Sequence, residues 1–268
     1  SFDGLIFSSL LGDTGAMFGH ANPAVVDAIA HQLQRGSTMM LPTQDAVWVG
    51  EELARRFGLR YWQVTTSATD ANRFVIRLCR MASGKKKVLT FNWNYHGSVD
   101  ETQVELDESG RMIPRSGVHT NAMEHTQTTR LLEFNDLHAL EEALSEGDVA
   151  CVLTEPVLTN VGIVPAAPEF HVGLRRLTRA HDVPLVIDET HTISTGPRGY
   201  TGECGLDPDF LVLGKSIAGG IPVAVWGASE EMARKIWSVL PHFELGQEIN
   251  HFGFGGTLAG SALQIRAI

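Results

Sequence analysis

The sequence has 268 residues, of which 43% are hydrophobic and 19% charged, a composition typical of a soluble globular protein with a sizeable core. Its 31 acidic and 21 basic side chains give a formal net charge of -10, which disfavours binding to nucleic acid or to anionic membranes. The three cysteines form no CxxC pair, which fits a reducing, cytoplasmic compartment. No apolar stretch approaches the roughly 20 residues that a transmembrane helix needs.

The first third of the chain shows helical patterns. Asn22 followed by Pro23 predicts the start of a helix, because asparagine caps a helix and proline suits its first position. The apolar residues of this helix recur at spacings of three and four and share one face: Val26, Ile29 and Leu33. Two further helices are predicted over residues 45–57 and 69–81, and Gly84 ends the second of them.

Short apolar runs then alternate with helical patterns. Four runs are typical of strands covered on both faces, over residues 88–91, 150–153, 185–187 and 210–213. Helices are predicted between and after them, over residues 135–144, 168–181 and 229–239. The alternation predicts an α/β fold of three layers, in which helices cover both faces of a mainly parallel sheet. The polar segment 98–129 is predicted to be a long functional loop with little regular structure.

A lysine follows the last of these strands, at the edge where such sheets bind ligands. Lys215 lies beside Gly214 and other small residues, and it is predicted to lie inside the protein. Burial lowers the pKa of an ammonium group, and the neutral amine can then condense with an aldehyde. A lysine that extends its charged head into solvent is an equally ordinary interpretation of this position.

An aspartate ends another of these strands, the run over residues 185–187, and is predicted to face the same cleft. A carboxylate at the position of Asp188 can ligate magnesium, cap a helix or hold a cationic heterocycle. The third role explains Asp188 and Lys215 together. A carboxylate beside a ring nitrogen stabilises the protonated ring, which becomes an electron sink for a carbanion at the attached carbon.

Two further features fit a flat, phosphorylated ligand. Ser67 and Thr69 stand at the predicted start of a helix, where backbone amides bind phosphate, although an ordinary helix cap is locally the commoner interpretation. Tyr95 follows a strand and can stack on a ring, although aromatic residues also occur in surface loops. The eleven histidines show no HExxH pattern and no pair near an acidic ligand, so no metal site is predicted.

In their order, these segments resemble the class III aminotransferases of the fold-type I pyridoxal-phosphate superfamily, near the branch of glutamate-1-semialdehyde aminomutase. The matching segments are residues 19–23, 66–72, 95–97, 155–160, 188–190, 213–220 and 255–260. The resemblance covers almost the whole chain. It implies a large domain that binds pyridoxal 5'-phosphate over residues 1–268, without the family's N-terminal segment and C-terminal small domain.

The resemblance also implies a role for each matching residue. Lys215 would form a Schiff base with the cofactor and Asp188 would hold its pyridine nitrogen, which makes both of them catalytic residues. The other implied cofactor-binding residues are Ser67, Ala68, Thr69, Tyr95, His96, Glu155, Asn160, Thr190, His191 and Thr257. Ala68 replaces the family's glycine, and Thr190 replaces the aliphatic residue that usually packs on the ring. The segment around Thr257 resembles one that reaches a neighbouring subunit's phosphate, which implies a homodimer with shared active sites.

The implied activity is an aminotransferase reaction, in which an amino group moves between an amine or amino acid and a keto acid, ketone or aldehyde. Two alternatives remain open. Asn160 leaves room for an intramolecular amino shift of the aminomutase kind, and the chain could instead be a non-catalytic module that binds the cofactor. The sequence assigns no residue to a substrate pocket, so it does not predict the amine donor or the carbonyl acceptor.

Overall fold

The computed structural model describes residues 14–39, 41–118, 123–240 and 253–268. The strands are β1 Tyr61–Thr65, β2 Lys87–Phe91, β3 Val104–Leu106, β4 Met112–Pro114, β5 Thr129–Leu132, β6 Val149–Thr154, β7 Leu185–Asp188, β8 Phe210–Leu213 and β9 Ala224–Ala228. The α-helices are α1 Pro23–Arg35, α2 Gln44–Phe57, α3 Ala68–Ser83, α4 His125–Thr128, α5 Leu137–Ser145, α6 Phe170–Ala180, α7 Gly199–Glu203, α8 Glu230–Val239 and α9 Ala262–Ala267.

Seven of these strands form one sheet, in the order β1-β9-β8-β7-β6-β2-β5. Strand β9 pairs antiparallel with both β1 and β8, whereas the other neighbours pair in parallel. The predicted mainly parallel sheet is therefore confirmed. Because six strands point the same way, their carboxyl ends meet at one edge, where ligands bind in sheets of this kind.

The predicted three layers are also confirmed, because a separate apolar core lies on each face of the sheet. One core joins α2, α5 and α6 to the sheet through residues such as Leu53, Leu140 and Leu174. The other joins α3 and α8 to the opposite face through Val75 and Ile236. Each fully buried side chain of this kind contributes about 1.5–3 kcal/mol. Packing on both faces therefore fixes the strands whose ends form the ligand-binding edge.

The predicted helix termini in the first part of the chain are confirmed. The Asn22 side chain accepts a hydrogen bond from the backbone of Ala24 at 3.0 Å, and helix α1 begins at Pro23. The predicted apolar face of α1 is nonetheless largely exposed, at Val26 and Leu33. Helix α1 contacts the described part of the chain mainly through α9, so only part of its surface is covered.

Several strands were not predicted from the sequence. Strand β1 has four half-buried residues, and β9 contains a glycine, so neither shows the long apolar run of a central strand. The segment 98–129 was predicted to have little regular structure, which is partly wrong, because β3 and β4 pair as an antiparallel hairpin within it. Residues 119–122 of that segment lie outside the described residues.

Candidate active site

One cleft lies at the carboxyl edge of the sheet, with a volume of about 640 Å³. It is lined by Gly15, Ala16, Gly19, His20, Thr66, Ser67, Ala68, Thr69, Tyr95, His96, Gly97, Asp188, Thr190, Lys215, Gly219, Gly220, Ile221, Pro222 and Val223. The structure therefore brings Lys215 and Asp188 to the same cleft. It also places there the predicted helix start and the predicted aromatic residue.

Asp188 ends β7 and is buried, with 3% of its surface exposed. One carboxylate oxygen, Oδ2, accepts hydrogen bonds from Asn72 Nδ2 at 2.8 Å and pairs with His96 Nδ1 at 2.9 Å. The other oxygen, Oδ1, accepts hydrogen bonds from the Thr190 amide at 3.0 Å and from its hydroxyl at 2.6 Å. Burial raises the pKa of Asp188, but the His96 ring and the Thr190 and Asn72 donors outweigh it, so the pKa lies below its ordinary value. Asp188 is therefore held as a carboxylate.

Lys215 is exposed rather than buried, so the prediction of a buried amine is wrong. Strand β8 ends at Leu213, and Lys215 begins a short 3-10 helix with a left-handed φ of 45°. Its side chain therefore emerges beyond the edge of the sheet, where the cleft is open to solvent. Burial, and after it the charge of Lys215, lower the pKa of the neighbouring His191.

Helix α3 points its start at the cleft. The Ser67 hydroxyl caps this helix by accepting a hydrogen bond from the Asp70 amide at 3.2 Å. The first amides of a helix have no partner inside the helix, and both Ala68 and Thr69 line the cleft. An anionic group in the cleft can therefore meet these amides and the positive end of the helix dipole.

Gly97 lies against this helix start in a way that only glycine allows. Its φ is +74°, and an added Cβ would lie 2.1 Å from Thr69 Oγ1. That oxygen already accepts a hydrogen bond from the Ser98 amide at 3.1 Å, so it cannot move away freely. The Tyr95–Gly97 turn and the start of α3 are therefore fixed to one another.

We expect Gly97→Ala to destabilise the protein more than Gly110→Ala. Gly110 has nearly the same φ, +77°, but an added Cβ would meet nothing within 4 Å. The left-handed backbone costs about 1–2 kcal/mol at either position, and the clash with Thr69 adds about 1–3 kcal/mol at Gly97 alone. Urea denaturation of both variants measures the difference, and equal losses of stability would contradict this account of Gly97.

Glu155 follows β6 and holds the backbone of the Tyr95 turn. Its Oε1 accepts a hydrogen bond from the Tyr95 amide at 3.0 Å, and its Oε2 accepts one from the Thr159 hydroxyl at 2.7 Å. Burial raises the pKa of Glu155 above its ordinary value, against the lowering effects of His96 and Thr159. Tyr95 itself lines the cleft with an exposed ring, so Glu155 positions an aromatic face there.

We expect Glu155→Gln to fold and to gain stability relative to the native protein as the pH rises. A glutamine can keep both contacts, with its oxygen toward Tyr95 and its amide toward Thr159. Because the pKa of Glu155 is raised in the folded state, its contribution is fully present below the ordinary value of 4.5 and is lost as the pH rises through the raised pKa. Denaturation at several pH values above 4.5 measures the difference in free energy of unfolding between the variant and the native protein. Glu141→Gln, at an exposed residue of α5, is the matched control for loss of a surface carboxylate. A difference that stays constant with pH for Glu155→Gln would contradict the prediction.

Four predicted cofactor-binding residues are not among the residues that line the cleft. Glu155 lies behind the Tyr95 turn, to whose backbone it bonds. Asn160 is exposed in the turn between Leu158 and Val164, which form an isolated bridge. Thr257 is exposed, and His191 is partly buried near Lys215. The roles of these four residues in cofactor binding remain predictions.

Sequence reasoning assigned no role to Asn72. This side chain is completely buried on α3, where it donates to Asp188 and also to the His96 carbonyl at 3.3 Å. An asparagine on the apolar face of an amphipathic helix is the signal that could have pointed to it, because a buried amide requires a polar partner. Its Oδ1 and the Nε2 atom of His96 have no hydrogen-bond partner in the part of the chain described.

The side chains of the cleft fit pyridoxal phosphate. A buried carboxylate at Asp188 suits a protonated ring nitrogen, the start of α3 suits a phosphate, and an amine at Lys215 suits an aldehyde. An added Cβ at Gly214 would lie 3.2 Å from the Ala68 Cβ, so the lysine's neighbour and the helix start are close together. The fold and this cleft are those of the cofactor-binding domain of fold-type I pyridoxal-phosphate enzymes.

A family comparison agrees with this class. The family model for class III aminotransferases matches residues 12–266, and the chain belongs to that family. Glutamate-1-semialdehyde 2,1-aminomutase from Bordetella avium is 34% identical over 274 residues, which cover 99% of this chain and 61% of that protein.

Solved structures extend the comparison. A glutamate-1-semialdehyde aminomutase from Pseudomonas aeruginosa PAO1 is 73% identical, with a TM-score of 0.94, over 96% of this chain and 57% of that one. A lysine-to-alanine variant of that aminomutase was solved in complex with PMP, the amine form of the cofactor. A transaminase with PLP bound is 27% identical, with a TM-score of 0.82, over 96% of this chain and 60% of that one. The chain thus spans about three fifths of the length of these relatives.

Proposed function

We propose that this chain carries the cofactor-binding part of a glutamate-1-semialdehyde aminomutase, with Lys215 and Asp188 as its catalytic residues. The observation that carries the proposal is the 73% identity to the Pseudomonas aeruginosa aminomutase over 96% of the chain. The curated relatives that the chain matches at 30–34% identity bear the same name. This similarity favours the intramolecular alternative over the first interpretation, which was transfer of an amino group between two substrates.

The name of the relatives defines the chemistry that a test must detect. A 2,1-aminomutase moves an amino group from C2 to C1 of glutamate 1-semialdehyde, and the carbonyl oxygen appears at C2. The product is the isomer 5-amino-4-oxopentanoate. One small molecule is therefore consumed and one isomer appears, with no separate amino acceptor.

Five residues of the cleft have a role in the proposed reaction. Pyridoxal phosphate supplies, when bound, a carbonyl carbon that takes up an amino group and a ring that accepts electrons. The Asp188 carboxylate holds a proton on the ring nitrogen, and the amine of Lys215 takes a proton from one substrate carbon and returns it to another atom. Tyr95 stacks on the ring, and the amides of Ala68 and Thr69 bind the phosphate.

The proposal extends to assembly and location. Thr257 is exposed, as a residue that reaches a partner's phosphate would be, which supports a homodimer with shared active sites. In the part of the chain that the structure describes, no helix has the length and apolarity needed to cross a bilayer. We place the protein in the cytoplasm, and its partners are small amine and carbonyl compounds.

Supply of a single substrate distinguishes the aminomutase from the transferase. The holoprotein is incubated with glutamate 1-semialdehyde alone, and the products are counted per active site. Many turnovers to 5-amino-4-oxopentanoate support the proposal. A reaction that stops after one equivalent and resumes when a keto acid is added would instead establish a transferase. A cofactor spectrum that responds to no compound in a broad amine panel would favour the non-catalytic module.

A further inference from the structure

Thr190 makes a contact with Asp188 that the proposed reaction does not require. Its hydroxyl donates to Asp188 Oδ1 at 2.6 Å, in addition to the bond from its own amide to the same oxygen. Thr190 and Asp188 both line the cleft. The hydroxyl of Thr190 therefore bonds to a carboxylate that belongs to the lining of the cleft.

The acceptor capacity of Asp188 is already filled in the structure. A carboxylate has about four lone-pair positions, two on each oxygen. Asn72 and His96 take two of them at Oδ2, and the amide and hydroxyl of Thr190 take the two at Oδ1. A protonated ring nitrogen that binds to Asp188 must share or displace one of these donors.

The Thr190 hydroxyl is the donor best able to yield. Asn72 and His96 are buried, with 0% and 2% of their surfaces exposed, and they lie within the packed interior. The Thr190 amide is fixed by the backbone. Thr190 is only partly buried, and its hydroxyl hydrogen rotates about a single bond.

We propose that Thr190 is a positioning residue whose hydroxyl competes with the ring nitrogen of the cofactor for Asp188 Oδ1 and thereby weakens the grip of Asp188 on that nitrogen. This inference rests on the proposed function, because it takes Asp188 to be the partner of the ring nitrogen. Each donor stabilises the ionised carboxylate and lowers its affinity for a further proton or donor. The proton on the ring nitrogen is therefore bound more weakly than it would be in a site without the Thr190 hydroxyl.

Several other ionisable groups lie around Asp188 in the described part of the chain. His96 bonds to Oδ2, Glu155 and Asp188 interact through their charges, and His20, Tyr95 and Lys215 line the same cleft. A substitution confined to Thr190 leaves all of these groups in place. A change in the protonation of the ring nitrogen is then attributable to the hydroxyl.

The methyl group of Thr190 offers a matched control. An added Cβ at Gly214 would lie 3.1 Å from Thr190 Cγ2, so this methyl packs beside the residue that precedes Lys215. Thr190→Ser keeps the hydroxyl and loses the methyl, whereas Thr190→Val keeps a methyl and loses the hydroxyl. Thr190→Ala loses both without placing a new carbon against Asp188. The three variants separate the hydrogen bond from the packing.

The test measures the ring nitrogen itself rather than turnover. The holoprotein is loaded with pyridoxal phosphate labelled with ¹⁵N in the ring, and the nitrogen resonance is followed against pH. We expect Thr190→Val and Thr190→Ala to keep the nitrogen protonated to a higher pH, by about one unit or a tenfold change in the equilibrium. In Thr190→Ser the ring nitrogen should lose its proton at the same pH as in the native protein. Thermal unfolding of each variant checks that the fold is retained.

Two results would overturn the inference while leaving the proposed function intact. In the first, the ring nitrogen of Thr190→Val and Thr190→Ala loses its proton at the same pH as in the native protein. In the second, Thr190→Ser shifts that pH as much as Thr190→Ala does. Asp188→Asn provides the separate arm and should move the resonance toward that of an unprotonated ring. If Asp188→Asn leaves the resonance unchanged, Asp188 is not the partner of the nitrogen, and both the assignment of Asp188 and the inference fail.

Discussion

Lys215→Ala is expected to abolish turnover, with a loss of at least about 10⁴-fold. General acid-base catalysis by a positioned side chain contributes roughly 10²–10⁴-fold, and this variant also loses the nucleophilic amine that binds the cofactor's aldehyde. Lys215 is exposed at the start of a short 3-10 helix, so the fold does not depend on packing of its side chain. The loss should therefore appear in turnover and not in the free energy of unfolding of the cofactor-free protein.

A control is available in Lys86, which is exposed in the turn before β2 and distant from the residues that line the cleft. Lys86→Ala removes the same charge and should leave turnover unchanged. The single-substrate assay measures both variants, and reduction with borohydride followed by mass spectrometry measures attachment of the cofactor to the chain. Retained turnover in Lys215→Ala, or attachment that persists in it, would refute the role of Lys215.

The sequence predicted the central sheet better than its margins, for a physical reason. Strands β6, β7 and β8 are buried on both faces, so each is a short run of apolar residues that has few other interpretations. Among the described residues, strand β1 pairs with β9 alone and lies at the edge of the sheet, so four of its five residues are half-buried and its pattern is mixed. A local pattern does not reveal such a strand, because its partner is more than 150 residues away in the chain.

The candidate site shows the same division between local and tertiary information. Asp188 and Lys215 were predicted because each stands at the end of a recognisable strand, and the geometry of parallel sheets brings strand ends together. The exposure of Lys215 was not predicted, since it depends on the backbone conformation after β8 and on the open side of the cleft. The role of Asn72 was also missed, because its partner Asp188 is 116 residues away.

Asp188→Asn is expected to reduce turnover by at least about a hundredfold, because the charge that favours a protonated ring nitrogen is lost. The substitution also disturbs a site built for two acceptor oxygens. An amide group at the position of Oδ2 would face the donors on Asn72 and His96, and an amide group at Oδ1 would face the Thr190 amide. The unpartnered Oδ1 of Asn72 can turn to accept a hydrogen bond, which limits the damage. We expect a loss of about 1–3 kcal/mol in the free energy of unfolding near neutral pH.

The pH dependence of that loss separates the charge from the shape of the side chain. The pKa of Asp188 is lowered in the folded state, so its ionised form stabilises the protein above the ordinary value of 3.8, and this contribution is lost as the pH falls through the lowered pKa. The difference in free energy of unfolding between the native protein and Asp188→Asn should therefore be largest near neutral pH and should decrease below about pH 4. Urea denaturation from pH 7 downward measures this difference. Asp182→Asn, at an exposed residue paired with Lys235, is the control for loss of a surface charge. A difference that stays constant across this range would mean that Asp188 acts through packing, and its assignment as the anionic partner of the ring nitrogen would be wrong.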